Sequence, residues 1–427
     1  MAMKSVAKLP KYDSYKKCKL EWVKNIPKSW EIKPIKHLVS IRNGLDYKSV
    51  VVDEGYPVYG SGGKFACAKK FLFDGEAILL GRKGTIDKPL HVNGKFWTVD
   101  TMFYAVPKTK VNGRFFYYCC TGIPFSFYLT STALPSMTQA DLNNHQFAWP
   151  SEEQQGLISS FLDKKTKQID EAIAIKEQQI ALLKERKQII IQKAVTQGLD
   201  PNAPMKDSGV DWIGQIPAHW EMKRVKNIFR LVMEPSEKNN DHELLSVYTD
   251  IGVKPRSELE ERGNKASTTD GYWFVKKGDV VVNKLLAWMG AIGLSEYDGV
   301  TSPAYDILRP QLPVNGYFYH YLFRSNFCSA ELKRHSRGIM DMRLRLYFDR
   351  FGVVEVPYPP VDEQNEIIHS LKIQMYEMDK GIDHLNIQIE KLKEYKTTLI
   401  NSAVTGKIKV TPEMAGVVKK AQSTVEA

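Results

Sequence analysis

Residues 151–197 read SEEQQGLISSFLDKKTKQIDEAIAIKEQQIALLKERKQIIIQKAVTQ. Within this run Leu162, Thr166, Ile169, Ile173, Lys176, Ile180, Leu183, Lys187, Ile190 and Ala194 are separated by four and three residues in alternation. That is the heptad spacing of a helix packed along one seam. Residues 361–405 repeat it with Leu371, Met375, Met378, Ile382, Leu385, Ile389, Leu392, Lys396, Leu399 and Ala403; adding 209 carries one register onto the other, Lys187 onto Lys396 included. Two helices of one length, each with one apolar stripe, bury those stripes on each other. A parallel pair would need the chain to return along a rod of roughly 65 Å. The linker 198–211 reaches about 50 Å at most. An antiparallel coiled-coil pair is therefore expected, with a globular domain at each end and the termini close together. Its geometry sets Lys187 near Met378 and Lys396 near Ile169, each ammonium reaching water along its stem.

The globular parts are also duplicated. Trp22-Val-Lys-Asn-Ile-Pro-Lys-Ser-Trp30-Glu-Ile-Lys-Pro-Ile-Lys36 returns as Trp212-Ile-Gly-Gln-Ile-Pro-Ala-His-Trp220-Glu-Met-Lys-Arg-Val-Lys226. Each domain closes where its long helix opens, at Trp149-Pro-Ser-Glu-Glu-Gln154 and Pro359-Pro-Val-Asp-Glu-Gln364. The expected order is an extension over 1–21, a domain over 22–150, a helix over 151–197, a linker over 198–211, a second domain over 212–360, its helix over 361–405 and a tail over 406–427. Short apolar runs bounded by glycines read as strands: Ala77–Leu80 and Thr101–Val106 in the first domain, residues near Leu244–Tyr248 and Asp279–Asn283 in the second. The aromatic stretch 113–129 reads as a packed helix or as further strand, with helix favoured. The fold class is α+β: two mixed α/β domains, each with a substantial curved sheet, in an internal tandem repeat separated by the two helices.

Sixty Lys and Arg against forty-nine Asp and Glu leave a formal charge of +11, which suits a polyanion such as nucleic acid. The five cysteines show no paired CxxC spacing, and their odd number argues against a disulfide framework. No apolar leader and no run near 18 apolar residues is present. A soluble cytoplasmic protein without a membrane partner is expected.

Signs of catalysis fail one by one. The three Gly-Lys pairs run into Phe65, Phe96 and Ile408, where a phosphate-binding loop needs Ser or Thr. Tyr59-Gly-Ser-Gly-Gly63 leads into Lys64-Phe65 and reads as a tight turn rather than a methyl-donor loop. Tyr358-Pro-Pro-Val361 lacks the polar residue before and the aromatic after that a base-holding methyltransferase motif carries. The histidines show no ligand spacing. No catalytic residue, metal site or cofactor is expected in this chain. What remains is a binding protein with two similar heads, and duplex DNA offers such a protein two groove-spaced segments with an unread gap.

These residues resemble the specificity (S) subunit of type I restriction-modification enzymes over roughly residues 15–406. The resemblance is carried by AVTQGLDPNAPMKDSGVDWIGQIPAHW at 194–220, the Glu-Gln start of each helix, Gly81-Arg-Lys-Gly84, DVVVNKLLAWMG at 279–290 and Ser302-Pro-Ala-Tyr305. It departs at Cys18-Lys19, where the second copy has Ser208-Gly209, and at Gly338-Ile-Met-Asp341, where the first has Leu134-Pro-Ser-Met137. It implies that each globular domain is a target recognition domain reading one half of a bipartite double-stranded DNA site. It implies that the helices are the spacer and dock two methyltransferase (M) subunits, which bind S-adenosylmethionine and methylate adenine. It further implies that restriction (R) subunits can join, so that S-adenosylmethionine, ATP and Mg belong to the partners. A coiled-coil scaffold without DNA readout is the alternative, separated by a salt-sensitive footprint on duplex DNA.

Base and phosphate contacts belong on loops, because apolar strands do not reach base edges. The candidates are Lys64, Arg82 and Lys83 in the first domain, and Asn283, Lys284, Arg337, Arg343 and Arg345 in the second.

Overall fold

The computed structural model describes residues 6, 8–20, 22–83, 85–125, 136–258, 269–339 and 343–417. Gly84, Leu134, Pro135, Met340 and Asp341, together with the ends of the extension and tail, lie outside them, as do residues 126–129 of the expected aromatic helix. The chain divides into two compact units, Met1–Glu177 with Leu385–Ala427, and Gln178–His384. Each consists of one head and one half of each long helix.

In the first unit a four-stranded antiparallel sheet runs in the order Leu90–Val92, Ala77–Gly81, Met102–Pro107, Val39–Asn43. Ala77–Gly81 is a continuous apolar run because both faces of this sheet are covered. The pleat sorts its side chains by alternation. Ile78, Leu80, Phe103 and Ala105 join a core with Phe115 and Phe116 of helix Gly113–Thr121, and with Ile158, Phe161 and Leu162 of the first long helix. Ala77, Leu79, Met102 and Tyr104 face a second core beneath a five-stranded sheet built around Tyr56–Gly60 and Gly63–Ala68. The Tyr59–Gly63 segment is the expected tight turn, with Gly60 paired to Gly63 and Gly63 at φ 105°.

The second unit repeats the four-stranded sheet in the equivalent order: Ile292–Leu294, Val280–Asn283, Tyr305–Pro310, Phe229–Val232. Val280 and Val282 face helix Gly316–Arg324, while Val281 faces the other side. That helix corresponds to Gly113–Thr121 and carries the aromatic residues Tyr317, Phe318, Tyr319, Tyr321 and Phe323.

The long helices span Glu152–Gln197 and Val361–Val404. Each is fastened to its head by a buried glutamine. Gln155 accepts the N–H of Asn112 and donates to the Pro150 carbonyl; Gln364 accepts the N–H of Asn315 and donates to the Pro359 carbonyl. A buried amide left without these partners would cost about 1–3 kcal/mol. The glutamine of each helix start is thus a structural latch.

Within the first unit the helix halves run antiparallel: Lys396 Nζ lies 2.7 Å from Asp170 Oδ1, and Lys176 donates to Gln388. Within the second, Lys187 meets Asp379. Both seam lysines land one residue from the expected neighbours, Ile169 and Met378. The difference lies at their heads, where each ammonium is held by a carboxylate rather than left to water alone. Ile169, Ile382, Ile389 and Leu399 are buried, whereas Ile173, Ile180, Leu183, Ile190, Met378, Leu385 and Leu392 are half-buried. The tail returns to the first head, where the Lys409 N–H donates to the Pro10 carbonyl at 2.7 Å, and Ile408 and Val410 are buried.

Candidate nucleic-acid interface

Strand Ala77–Gly81 ends where Gly81 passes so close to Thr85 that a Cβ would lie 2.3 Å from its carbonyl oxygen. The chain then turns outward as Arg82-Lys83. Two long-range contacts fix this turn: the N–H of Arg82 donates to the Thr101 carbonyl at 2.9 Å, and the N–H of Met137 donates to the Arg82 carbonyl at 3.0 Å. Lys83 also bridges Ser136. Thr138 follows with a capping box to Asp141, which anchors the clasping segment to the short helix Gln139–Asn144. With Asn43, Phe103 and Gln139 these residues line a cleft of about 360 Å³. The Arg82 guanidinium sits 5.8 Å from the Phe103 ring centroid. Arg82 and Lys83 are exposed, and neither makes an ion pair among the described residues. They are therefore free to meet an anion.

Lys64 is exposed as well but is not brought to this cleft. It lines a separate shallow groove with Asp53, Phe65 and Cys67 on the five-stranded sheet.

In the second unit the same strand ends at Asn283, and two expectations are corrected there. Asn283 is only 8% exposed, and its Oδ1 accepts the N–H of Leu285, so it shapes the turn instead of facing outward. Lys284 is half-buried; its ammonium lies 3.2 Å from Asp306 Oδ1 and 3.1 Å from the Pro303 carbonyl. Burial raises the Asp306 carboxyl pKa, and the lysine opposes that shift. Lys284 is thus spent on its neighbours. Its carbonyl accepts the N–H of Leu346 at 2.8 Å, the counterpart of the Arg82–Met137 bond.

The clasping segment, where Arg337 and Arg345 form an isolated bridge, carries the remaining cations. Arg337 and Arg345 exchange backbone hydrogen bonds at 3.0 and 2.9 Å, and Arg337 is further paired with Asp349. Arg343 and Arg345 are exposed and make no ion pair among the described residues. The structure therefore groups Lys284, Arg337 and Arg345 about one clasp, and Arg82 and Lys83 about the other.

Three features had no signal in the sequence. Arg324, inside an aromatic helix, donates to the carbonyls of Tyr248, Thr249, Asp250, Gly290 and Ile292 and so holds the return of the 284–290 loop. Leu285 and Tyr347 flank the Lys284–Leu346 bond and stay 39% and 40% exposed. Among the described residues no group of His, Cys, Asp and Glu is placed to hold a metal, and no helix is long and apolar enough to cross a membrane.

Residues 27–185 match the type I restriction modification DNA specificity domain. The chain is similar to the type I restriction enzyme EcoDI specificity subunit of Escherichia coli, with 20% identity over 90% of this chain and 89% of that protein. It is also similar to the MjaVIII specificity subunit of Methanocaldococcus jannaschii, with 22% identity over 90% and 94%. Its fold matches a chain solved in work on complex assembly and conformational transition of the type I R-M system, with TM-score 0.68 and 14% identity over 90% of this chain and 99% of that one. The HsdS subunit from Thermoanaerobacter tengcongensis matches with TM-score 0.51 and 13% identity over 90% and 98%.

Proposed function

We propose, from the premise that this chain belongs to the family of type I restriction-modification specificity subunits, that each head reads one half of a bipartite, gapped site on double-stranded DNA. A specificity subunit is non-catalytic; methylation and cleavage belong to other subunits of the complex. The observation that carries the two-headed reading is the recurring clasp. In both heads the loop leaving the central strand is pinned to a distant segment, and cations that make no ion pair among the described residues belong to that clasp, Arg82 and Lys83 in one and Arg343 and Arg345 in the other. Rigidly held cations next to a cleft suit phosphate and base-edge contacts.

On this reading the long helices set the unread gap and dock two M subunits. R subunits join that core, and S-adenosylmethionine, ATP and Mg are held by the partners in the cytoplasm. The full chain should select one two-part motif with a constant gap from a pool of random duplexes, and its affinity should fall steeply with salt. Sequence-independent binding, or a single continuous motif, would contradict the proposal. A coiled-coil scaffold would give no footprint at all.

A further inference from the structure

The two clasps can be aligned atom by atom through their shared hydrogen bond, because the Arg82 carbonyl receives Met137 N–H where the Lys284 carbonyl receives Leu346 N–H. The next residue on the loop is then Lys83 in the first head and Leu285 in the second. The next residue on the clasping segment is Thr138 in the first and Tyr347 in the second. All four are exposed. The same place on the fold is thus cationic and hydroxylic in one head, and aliphatic and aromatic in the other.

The contrast extends to the residue before. Arg82 makes no ion pair among the described residues, while the Lys284 ammonium is consumed by Asp306 and the Pro303 carbonyl. The second clasp therefore offers an apolar tip with its loop lysine neutralised. The exposed Arg343 and Arg345 precede Leu346 on the clasping segment. Leu285 leaves 39% of its surface exposed. The Asn283 side chain and the Arg324 fan hold the turn without it.

Major-groove edges differ in the same way. Guanine presents two acceptors, which suit Arg or Lys, whereas thymine is the base that presents a methyl group. Resting on the DNA-reading proposal above, we infer that the heads discriminate by different chemistry: Leu285 and Tyr347 pack on a thymine 5-methyl group in the second half-site, while Arg82 and Lys83 donate to a guanine in the first. Arg343 and Arg345 supply the phosphate contacts that seat the apolar tip.

The test uses the full chain and the duplex recovered by selection. Replacing Arg82 by Ala relaxes one half-site and so identifies the other as belonging to the second head. Each thymine of that second half-site is then replaced by deoxyuridine, which removes the methyl group and leaves base pairing intact. One replacement should weaken binding about three- to fivefold, the worth of one buried carbon. Its effect should be smaller on the Leu285→Ala or Tyr347→Ala protein and absent in the double variant, whose affinity for the unmodified duplex is already lowered to match. A second half-site without thymine, an unchanged affinity on every replacement, or an equal loss in the wild type and both variants would overturn the inference while leaving two-headed reading intact. Failure to select any motif would overturn both.

Discussion

The two heads share one sheet and differ in what lies on it. Both place a four-stranded antiparallel sheet between a helix-side core and an outer core, and both fasten their long helix through a buried glutamine. On the outer side the first head adds a sheet of five strands, whereas the second carries two separate strand pairs, Leu245–Tyr248 with Gly252–Pro255 and Trp273–Val275 with Gly299–Thr301. The helix-side half answers to a common task, holding a helix, and stays alike. The outer half and the clasp diverge.

The divergence reaches the edge of the shared sheet. Pairing of Ile78 with Ala105 and of Val280 with Leu308 aligns Ala77 with Asp279, and Val106 with Arg309. The first head has an apolar pair there. The second has a bidentate ion pair, Asp279 being only 2% exposed with its carboxylate oxygens 2.9 Å from Arg309 Nε and Nη2. Removing Asp279 leaves Arg309 with Glu234 as its remaining partner, so Asp279→Ala should destabilise the second unit by about 1–3 kcal/mol, the worth of the lost charge-assisted hydrogen bonds. Importing the first head's pair, Asp279→Ala with Arg309→Val, should recover most of that loss in urea unfolding. A double variant no more stable than the single one would show that the alignment of the heads is wrong here.

A smaller contrast lies in acid sensitivity. His320 is half-buried beside Arg324, and its Nδ1 accepts the N–H of Leu294 at 3.2 Å. Burial, reinforced by Arg324 and Lys372, pushes its pKa down to about 3. In the first head burial lowers His145, stacked on Trp22, to about 4. Both pKa values are depressed, so the unfolded chain binds the proton first. Stability is whole above about pH 6.5 and falls as pH drops through the window, by at most about 1.4 kcal/mol per pH unit for each histidine. The first unit's loss levels off near pH 4, and the second unit's continues toward pH 3. His320→Gln should flatten the second unit's profile below pH 6.5 and leave that of the first unchanged, as read by hydrogen exchange in each unit. An unaltered profile would mean that His320 is not the group responsible.

The helices were the most legible part of the chain, because a heptad stripe records its partner's geometry in local spacing. Adding the repeat offset then placed Lys187 and Lys396 within one residue of their neighbours across the seam. The central strands were legible for a related reason, since burial on both faces leaves a short unbroken apolar run such as Ala77–Gly81 or Val280–Asn283. The clasps were not. Arg82 and Met137 are joined by a backbone hydrogen bond, which no side-chain pattern announces. At Asn283 and Lys284, loop position reveals polarity but not the Leu285 N–H or the Asp306 carboxylate that each engages. Arg324 was hidden among aromatics for the same reason, as its five acceptors are all backbone carbonyls.

The mildest perturbation tests the account most directly, because it should spare both heads and change only what lies between their half-sites. Inserting four helical residues after Gln179 adds about 6 Å and nearly one turn to the first long helix. On DNA, with steps of roughly 3.4 Å and a tilted helix pair, that projects to about one extra base pair. The methylated adenines should be mapped in cells carrying this chain and its M subunits, with and without the insertion. Both half-sites should persist, with the gap between them widened. An altered half-site over an unchanged gap would contradict the account, since the helices would then not be the ruler between two independent readers.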